Sequence, residues 1–169
     1  FMLDEGISTS IANLTKLGEP RILNLCSKMF NYLTRFVPAM EKLAERSTLT
    51  YSAICTLIDD DDADTKMIGS RTISNLILCK SENVSSVLIE NGAFESLSVG
   101  CTVPDLNASM QCIAALFSSC KSSDFLAKMG HLKIVNSLLS VALKGNHTEE
   151  RVYIYISKIV AMIAMELSS

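Results

Sequence analysis

The sequence predicts an all-α protein built by stacking similar helical units, and three observations predict it. Hydrophobic residues make up 49% of the 169 positions and charged residues 20%, enough apolar material for a sizeable core and too much for a disordered chain. Only 7 Gly and 3 Pro are present, too few for the many tight turns of an all-β fold. The third observation is self-similarity. Val87-Leu88-Ile89-Glu90-Asn91-Gly92 runs apolar, apolar, intermediate, polar, polar, Gly. Phe1-Met2-Leu3-Asp4-Glu5-Gly6 and Phe125-Leu126-Ala127-Lys128-Met129-Gly130 follow the same course, and Lys42-Leu43-Ala44-Glu45-Arg46-Ser47 is a copy with Ser in place of Gly. The markers end at 6, 47, 92 and 130, spaced 41, 45 and 38, a period that belongs to stacked-repeat architectures.

Each marker is followed by an apolar stretch at helical spacing. Ile7, Ile11 and Leu14 begin the series, then Ile54, Leu57 and Ile58, then Leu132, Val135, Leu138 and Leu139. Polar breaks come next, at 18–20, 59–64, 102–105 and 144–148. After each break a longer helix pattern starts. Its expected inward residues are Ile22, Leu25, Cys26, Met29 and Leu33 in the first unit and Met67, Ile68, Ile73, Leu76 and Ile77 in the second. Met110, Ile113, Leu116 and Phe117 form the third set, and Val152, Ile156, Ile159 and Ile163 the fourth. The β-branched alternation of Val152-Tyr153-Ile154-Tyr155-Ile156 also fits a strand, but the apolar pattern runs on past Met162 at helix length.

The punctuation agrees. Pro20 and Pro38 sit where a first helical turn tolerates a missing N–H. Asp105 and Thr148 read as N-caps, the latter with Glu149 and Glu150 in the first turn. Gly6, Gly92 and Gly130 read as left-handed stops after short helices. Each unit is therefore a short, a medium and a longer helix in about 40 residues.

Several function classes are disfavoured. The net charge is −3 with no Lys/Arg block, so no electrostatic footprint for nucleic acid is present. No apolar run reaches the length of a membrane span. Cys26, Cys55, Cys79, Cys101, Cys112 and Cys120 lack the spacing of a zinc or redox motif and read as small buried hydrophobes in a reducing, cytoplasmic setting. The Asn-x-Ser/Thr triplets at Asn13, Asn83, Asn107 and Asn146 are weak evidence against that setting. The acidic run beginning at Asp59 has Asp64 where a calcium loop needs Gly and Ser70 where it needs Glu, so it reads as a solvated loop feeding acid into the next helix. His131 and His147 fall in or near turns and are expected to be exposed. The eight Met residues read as core filler. No phosphate loop, nucleophile elbow or paired metal-ligand motif occurs, so no enzyme activity, cofactor or metal is expected.

Ile73-Ser74-Asn75-Leu76, followed by Leu88-Ile89-Glu90-Asn91-Gly92-Ala93 and Leu97, resembles the armadillo repeat. The resemblance covers the chain as four units near 1–36, 37–80, 81–120 and 121–169, one repeat domain. It implies a right-handed α-solenoid whose third helices line a concave face that binds an extended peptide or a partner helix. The first unit begins inside its own first helix, and the last helix is apolar on more than one side. That predicts a piece of a longer array. Aligning the third helices on Leu33, Leu76, Leu116 and Ile159 brings Tyr32, Asn75, Ala115 and Lys158 into register, with Lys28, Arg71, Gln111 and Ile154 one turn earlier. In the family an Asn at the first of these positions often bonds the ligand backbone, and Asn75 retains it. The tryptophan ridge of the importin-α branch has no counterpart, since the chain contains no Trp. The expected groove is therefore Lys28, Tyr32, Arg35, Arg71, Asn75 and Gln111, suited to a ligand with acidic and aromatic elements. The expected function is a protein-interaction scaffold, in a signalling, cytoskeletal or ciliary setting. The alternatives are a regulatory helical domain of a larger enzyme, or a repeat that self-associates through its terminal units.

Overall fold

The computed structural model describes residues 5–36, 43, 48–78, 83–131, 134–145 and 147–168. Among them the chain forms ten α-helices and no strand. These are α1 (Glu5–Thr15), α2 (Pro20–Leu33), α3 (Thr48–Asp59), α4 (Ala63–Leu78), α5 (Asn83–Glu90), α6 (Ala93–Gly100), α7 (Leu106–Ser119), α8 (Ser123–His131), α9 (Ile134–Lys144) and α10 (Glu150–Glu166). The segment from Val152 to Ile156 is helical, as its length required. Pro38, Cys79, Leu132, Asn146, the start of the first marker and most of the marker ending at Ser47 lie outside the described residues.

Local chemistry sets several helix starts. Pro20 opens α2, where its missing N–H costs nothing. The Asp105 carboxylate accepts from the Ala108 N–H at 2.8 Å and caps α7. Asp62 does the same for α4, accepting from the backbone N–H and the hydroxyl of Thr65, each at 2.8 Å. Gly92, at φ +75°, makes the left-handed joint between α5 and α6.

The other expected glycine stops do not occur. Gly6 lies within α1 and Gly130 within α8, neither with positive φ. At Gly130 the constraint is space: a Cβ would stand 2.9 Å from Leu167 Cδ2. Left-handed φ falls instead at Gly18 and Gly145, in two of the polar breaks. Thr148 is not the cap of α10; Glu149 holds that position, with no side-chain bond.

Helices at matching places in successive units pack on one another. α1 packs on α3, α3 on α6 and α6 on α9; α2 packs on α4, α4 on α7 and α7 on α10; α5 packs on α8. Within a unit, α1 touches α2, α3 touches α4, α6 touches α7 and α9 touches α10. One continuous apolar core runs through these layers from Ile11 to Ile163. Phe94 of α6 meets Phe125 of α8 edge to face, with centroids 4.7 Å apart, and Phe117 of α7 stacks on Tyr155 of α10 at 4.6 Å.

Helix α2 is rotated from its expected phase. Its buried residues are Leu23, Cys26, Ser27, Phe30 and Asn31, whereas Leu25 is 59% and Met29 43% exposed. Ile7 and Leu14 of α1 are likewise exposed, and Ile11 and Ala12 supply that helix to the core.

Candidate functional site

Side-chain hydrogen bonds tie unit to unit at a constant sequence distance. Asn24 Nδ2 donates to Asp62 Oδ2 and Thr65 Oγ1. Asn75 Nδ2 donates to Thr34 Oγ1 at 3.0 Å, and Arg71 Nε to Gln111 Oε1 at 3.2 Å. Ser70 pairs with Cys112, Ser98 with Ser137, and Ser109 with His147. In all seven bonds the partners stand 38 to 42 residues apart.

Three of these helices, α2, α4 and α7, enclose a groove of about 310 Å³. Arg35, Arg71, Asn75 and Gln111 line it, so four of the six expected residues meet there. Tyr32 stands beside it, with the Arg35 guanidinium 5.4 Å from its ring centroid. Lys28 does not line it. Its charge lies near Asp62, whose carboxyl is held below the usual range first by the Thr65 N–H and hydroxyl, then by Asn24 and Lys28.

Asn31, Ser74 and Ser118 also line the groove and escaped the sequence reading. Each lies on the same helical face as a residue that was named: Asn31 four before Arg35, Ser74 three after Arg71, Ser118 seven after Gln111. Helical spacing from the named residues was the one signal available for them. Asn31 is only 5% exposed, and among the described residues its amide has no hydrogen-bond partner. The lining contains no carboxylate, and among the described residues neither guanidinium is paired with one.

Two buried polar groups elsewhere were not foreseen. Lys66 of α4 is buried, and its Nζ donates to the Ile58 carbonyl at the end of α3. That places a cation at a helix C-terminus, where the dipole favours it. Gly100 keeps this region open, because a Cβ there would stand 2.5 Å from Cys112 Sγ and 3.8 Å from Lys66 Cδ. His147, expected to be exposed, is 9% exposed. Its Nε2 lies 3.1 Å from Ser109 Oγ, which donates to the Cys101 carbonyl, and it borders a hollow of about 240 Å³ with Leu106, Val141 and Lys144. The Tyr153 hydroxyl of α10 donates to the His147 carbonyl.

The five described cysteines are buried thiols. Burial pushes Cys55 and Cys120 up to about 12, Asp59 and Glu95 adding to the rise at Cys55, and holds Cys101 well above the ordinary thiol range. Their packing role therefore dominates over thiolate chemistry. Among the described residues no cluster of His, Cys, Asp and Glu forms a metal cage, and no helix is long and apolar enough to cross a membrane.

No family model and no curated protein matches the chain. Two crystal structures of engineered proteins from the Northeast Structural Genomics Consortium are similar in fold. One superposes with a TM-score of 0.79 at 14% identity, over 94% of this chain and 64% of the other. The second gives 0.76 at 13% identity, over 93% and 62%. The chain thus spans less than two thirds of the length of each. At these identities the likeness concerns fold alone.

Proposed function

We propose that the chain is a non-enzymatic protein-interaction module, a right-handed solenoid of about four armadillo-like repeats that forms one domain and binds an extended peptide or helix in its groove. The carrying observation is the 38-to-42-residue spacing of the inter-unit bonds, which is one repeat long and recurs along the chain. In such a stack the third helices α2, α4, α7 and α10 line one face. The groove of Arg35, Arg71, Asn75 and Gln111 lies on it, and its guanidiniums and the open amide of Asn31 suit the acidic side chains and backbone of a peptide. The cytoplasm is the compartment this reading favours, since buried thiols persist reduced there.

Peptides selected from a random library against the intact protein test it. Arg71→Glu combined with Asn75→Ala is expected to weaken the selected peptides at least about tenfold, as losing charge-assisted bonds does. Thermal unfolding should shift by only a few degrees, because Arg71 is exposed and Asn75 gives up about one net hydrogen bond. Unchanged peptide affinity would remove these residues from the site.

A second reading, self-association end to end, is favoured by one observation. α2 exposes a bulky apolar stripe and α10 a stripe of small residues at the same spacing. The measurement that separates the readings is mass against concentration.

A further inference from the structure

We propose that the groove between α2, α4 and α7 holds a phosphoryl group carried on a side chain of the bound segment. The inference rests on the groove reading above and adds the chemistry of the ligand.

Arg35 and Arg71 bring two permanent positive charges to one groove of about 310 Å³, and its remaining lining is Asn31, Ser74, Asn75, Gln111, Ala114 and Ser118. The chain as a whole carries net charge −3, so this cationic spot is local. Near Lys28 the chain supplies an acid, Asp62. Here it supplies none.

Donor geometry narrows the ligand. A guanidinium offers five N–H donors, and Arg71 gives its Nε–H to Gln111 Oε1. That bond fixes the plane of the group and leaves its outer edge open. Arg35 is steadied by the Tyr32 ring and makes no side-chain bond among the described residues. The Asn31 amide lines the same groove and has no hydrogen-bond partner among the described residues. The site therefore gathers two guanidiniums and an open amide around a space that lacks a carboxylate.

A single carboxylate would neutralise one of the two cations. A phosphoryl monoester carries about −1.5 to −2 charges at pH 7 and presents three acceptor oxygens. It matches both guanidiniums and still has an oxygen for Asn31. The space equals roughly ten water volumes, enough for the phosphoryl group and the side chain that bears it.

The test follows the Arg35 and Arg71 Nε–H and the Asn31 side-chain amide signals of the ¹⁵N-labelled 169-residue protein by NMR at 150 mM salt. Four probes are titrated: a five-residue phosphoserine peptide, the same peptide with serine, the same with glutamate, and inorganic phosphate. The phosphoserine peptide should shift all three signals saturably, at least about tenfold more tightly than the serine peptide and more tightly than glutamate or free phosphate. Arg35→Gln with Arg71→Gln should lose that tenfold, while Lys28→Gln, outside the groove, should not. The dispersion of the remaining amide signals reports that each variant is folded. Equal binding of phosphoserine and serine peptides overturns the proposal, as does an equal loss in Lys28→Gln. Inorganic phosphate binding as tightly as the peptide overturns the side-chain origin of the group. Library peptides that need Asn75 but ignore phosphorylation would sink this inference and leave the groove reading standing. Saturable phosphoserine binding that the arginine variant loses upholds the inference even where the unphosphorylated library yields no groove-bound peptide.

Discussion

His147 shows how one side chain couples burial to pH. Ser109 Oγ has a single proton and donates it to the Cys101 carbonyl, so the 3.1 Å contact with His147 requires Nε2 to carry a hydrogen. The neutral ring satisfies this bond, and a second proton would have to sit on Nδ1 in a poorly hydrated place. Burial accordingly lowers the pKa of His147 below 6.5, with the Glu149 charge opposing the shift. The unfolded chain then binds the proton more readily than the folded one. Stability from this group is complete above about pH 6.5 and is lost as the pH falls from there through the lower folded value. The urea midpoint should therefore drop between pH 7.5 and pH 5, and His147→Gln should flatten that drop. An equal pH dependence in the variant would show that other groups carry it. Asp62, whose pKa is also lowered, loses its contribution in a separate, more acid window below 3.8, so the two are resolved. The chemistry of His147 was not legible in the sequence. A histidine near an inter-helix turn reads as exposed, and only its contacts with Ser109, 38 residues away, and with Tyr153 hold it in a buried place.

At the scale of the element, α2 marks the boundary of what periodicity can decide. Ile22, Leu23, Leu25, Cys26, Met29, Phe30 and Leu33 spread apolar side chains over roughly 160° of the helix, wider than the face that is buried, so two phases fit, about 100° apart. The structure turns Leu23, Cys26 and Phe30 inward. Phe30→Ala should cost about 3–5 kcal/mol in chemical unfolding as a cavity in the core, and Leu25→Ala about 0.5 kcal/mol or less. The reverse order would restore the rejected phase. Where the signal was local, it sufficed. Pro20, Asp105 and the acid before α4 mark helix starts through chemistry within one turn. Glycine alone did not suffice, because Gly130 answers to the closeness of Leu167 and not to backbone angle. The groove was legible as far as unit alignment reaches: Arg71 and Gln111, 40 residues apart, do meet. Lys28 failed that test because the turn carrying Asp62 comes beside it, and Asn31 was missed because nothing in its type separates a groove amide from any other polar position.

For the whole molecule, the question is what the two outermost third helices leave uncovered. Within α7, Ala108, Cys112, Ala115 and Ser119 recur at i, i+4, i+7 and i+11, all buried, and Cys112 meets Ser70 of α4. Small residues on that stripe let the two helices approach closely. The same spacing on α2 and the turn after it carries Leu25, Met29, Tyr32 and Phe36, the last two 66% and 74% exposed. On α10 and its end, Ser157, Ala161, Ala164 and Ser168 repeat the spacing with small side chains, again exposed. Knobs on one face and a shallow seam on the other are complementary, and they lie on different surfaces. On the self-association reading, contact between copies would be heterologous and would not close on itself as a two-fold dimer does. Light scattering should show the mass of the wild-type chain rising with concentration beyond that of a dimer. Met29→Glu blocks the bulky face and Ala161→Glu the small one, so each variant alone should remain a monomer. Mixed one to one, they retain a single compatible pair of faces and should stop at a dimer. A constant wild-type mass, or two variants that stay apart when mixed, would leave the stripes without this role. The mixing outcome is the sharper of the two, because a two-fold interface would give no reason for a dimer to form only from unlike variants.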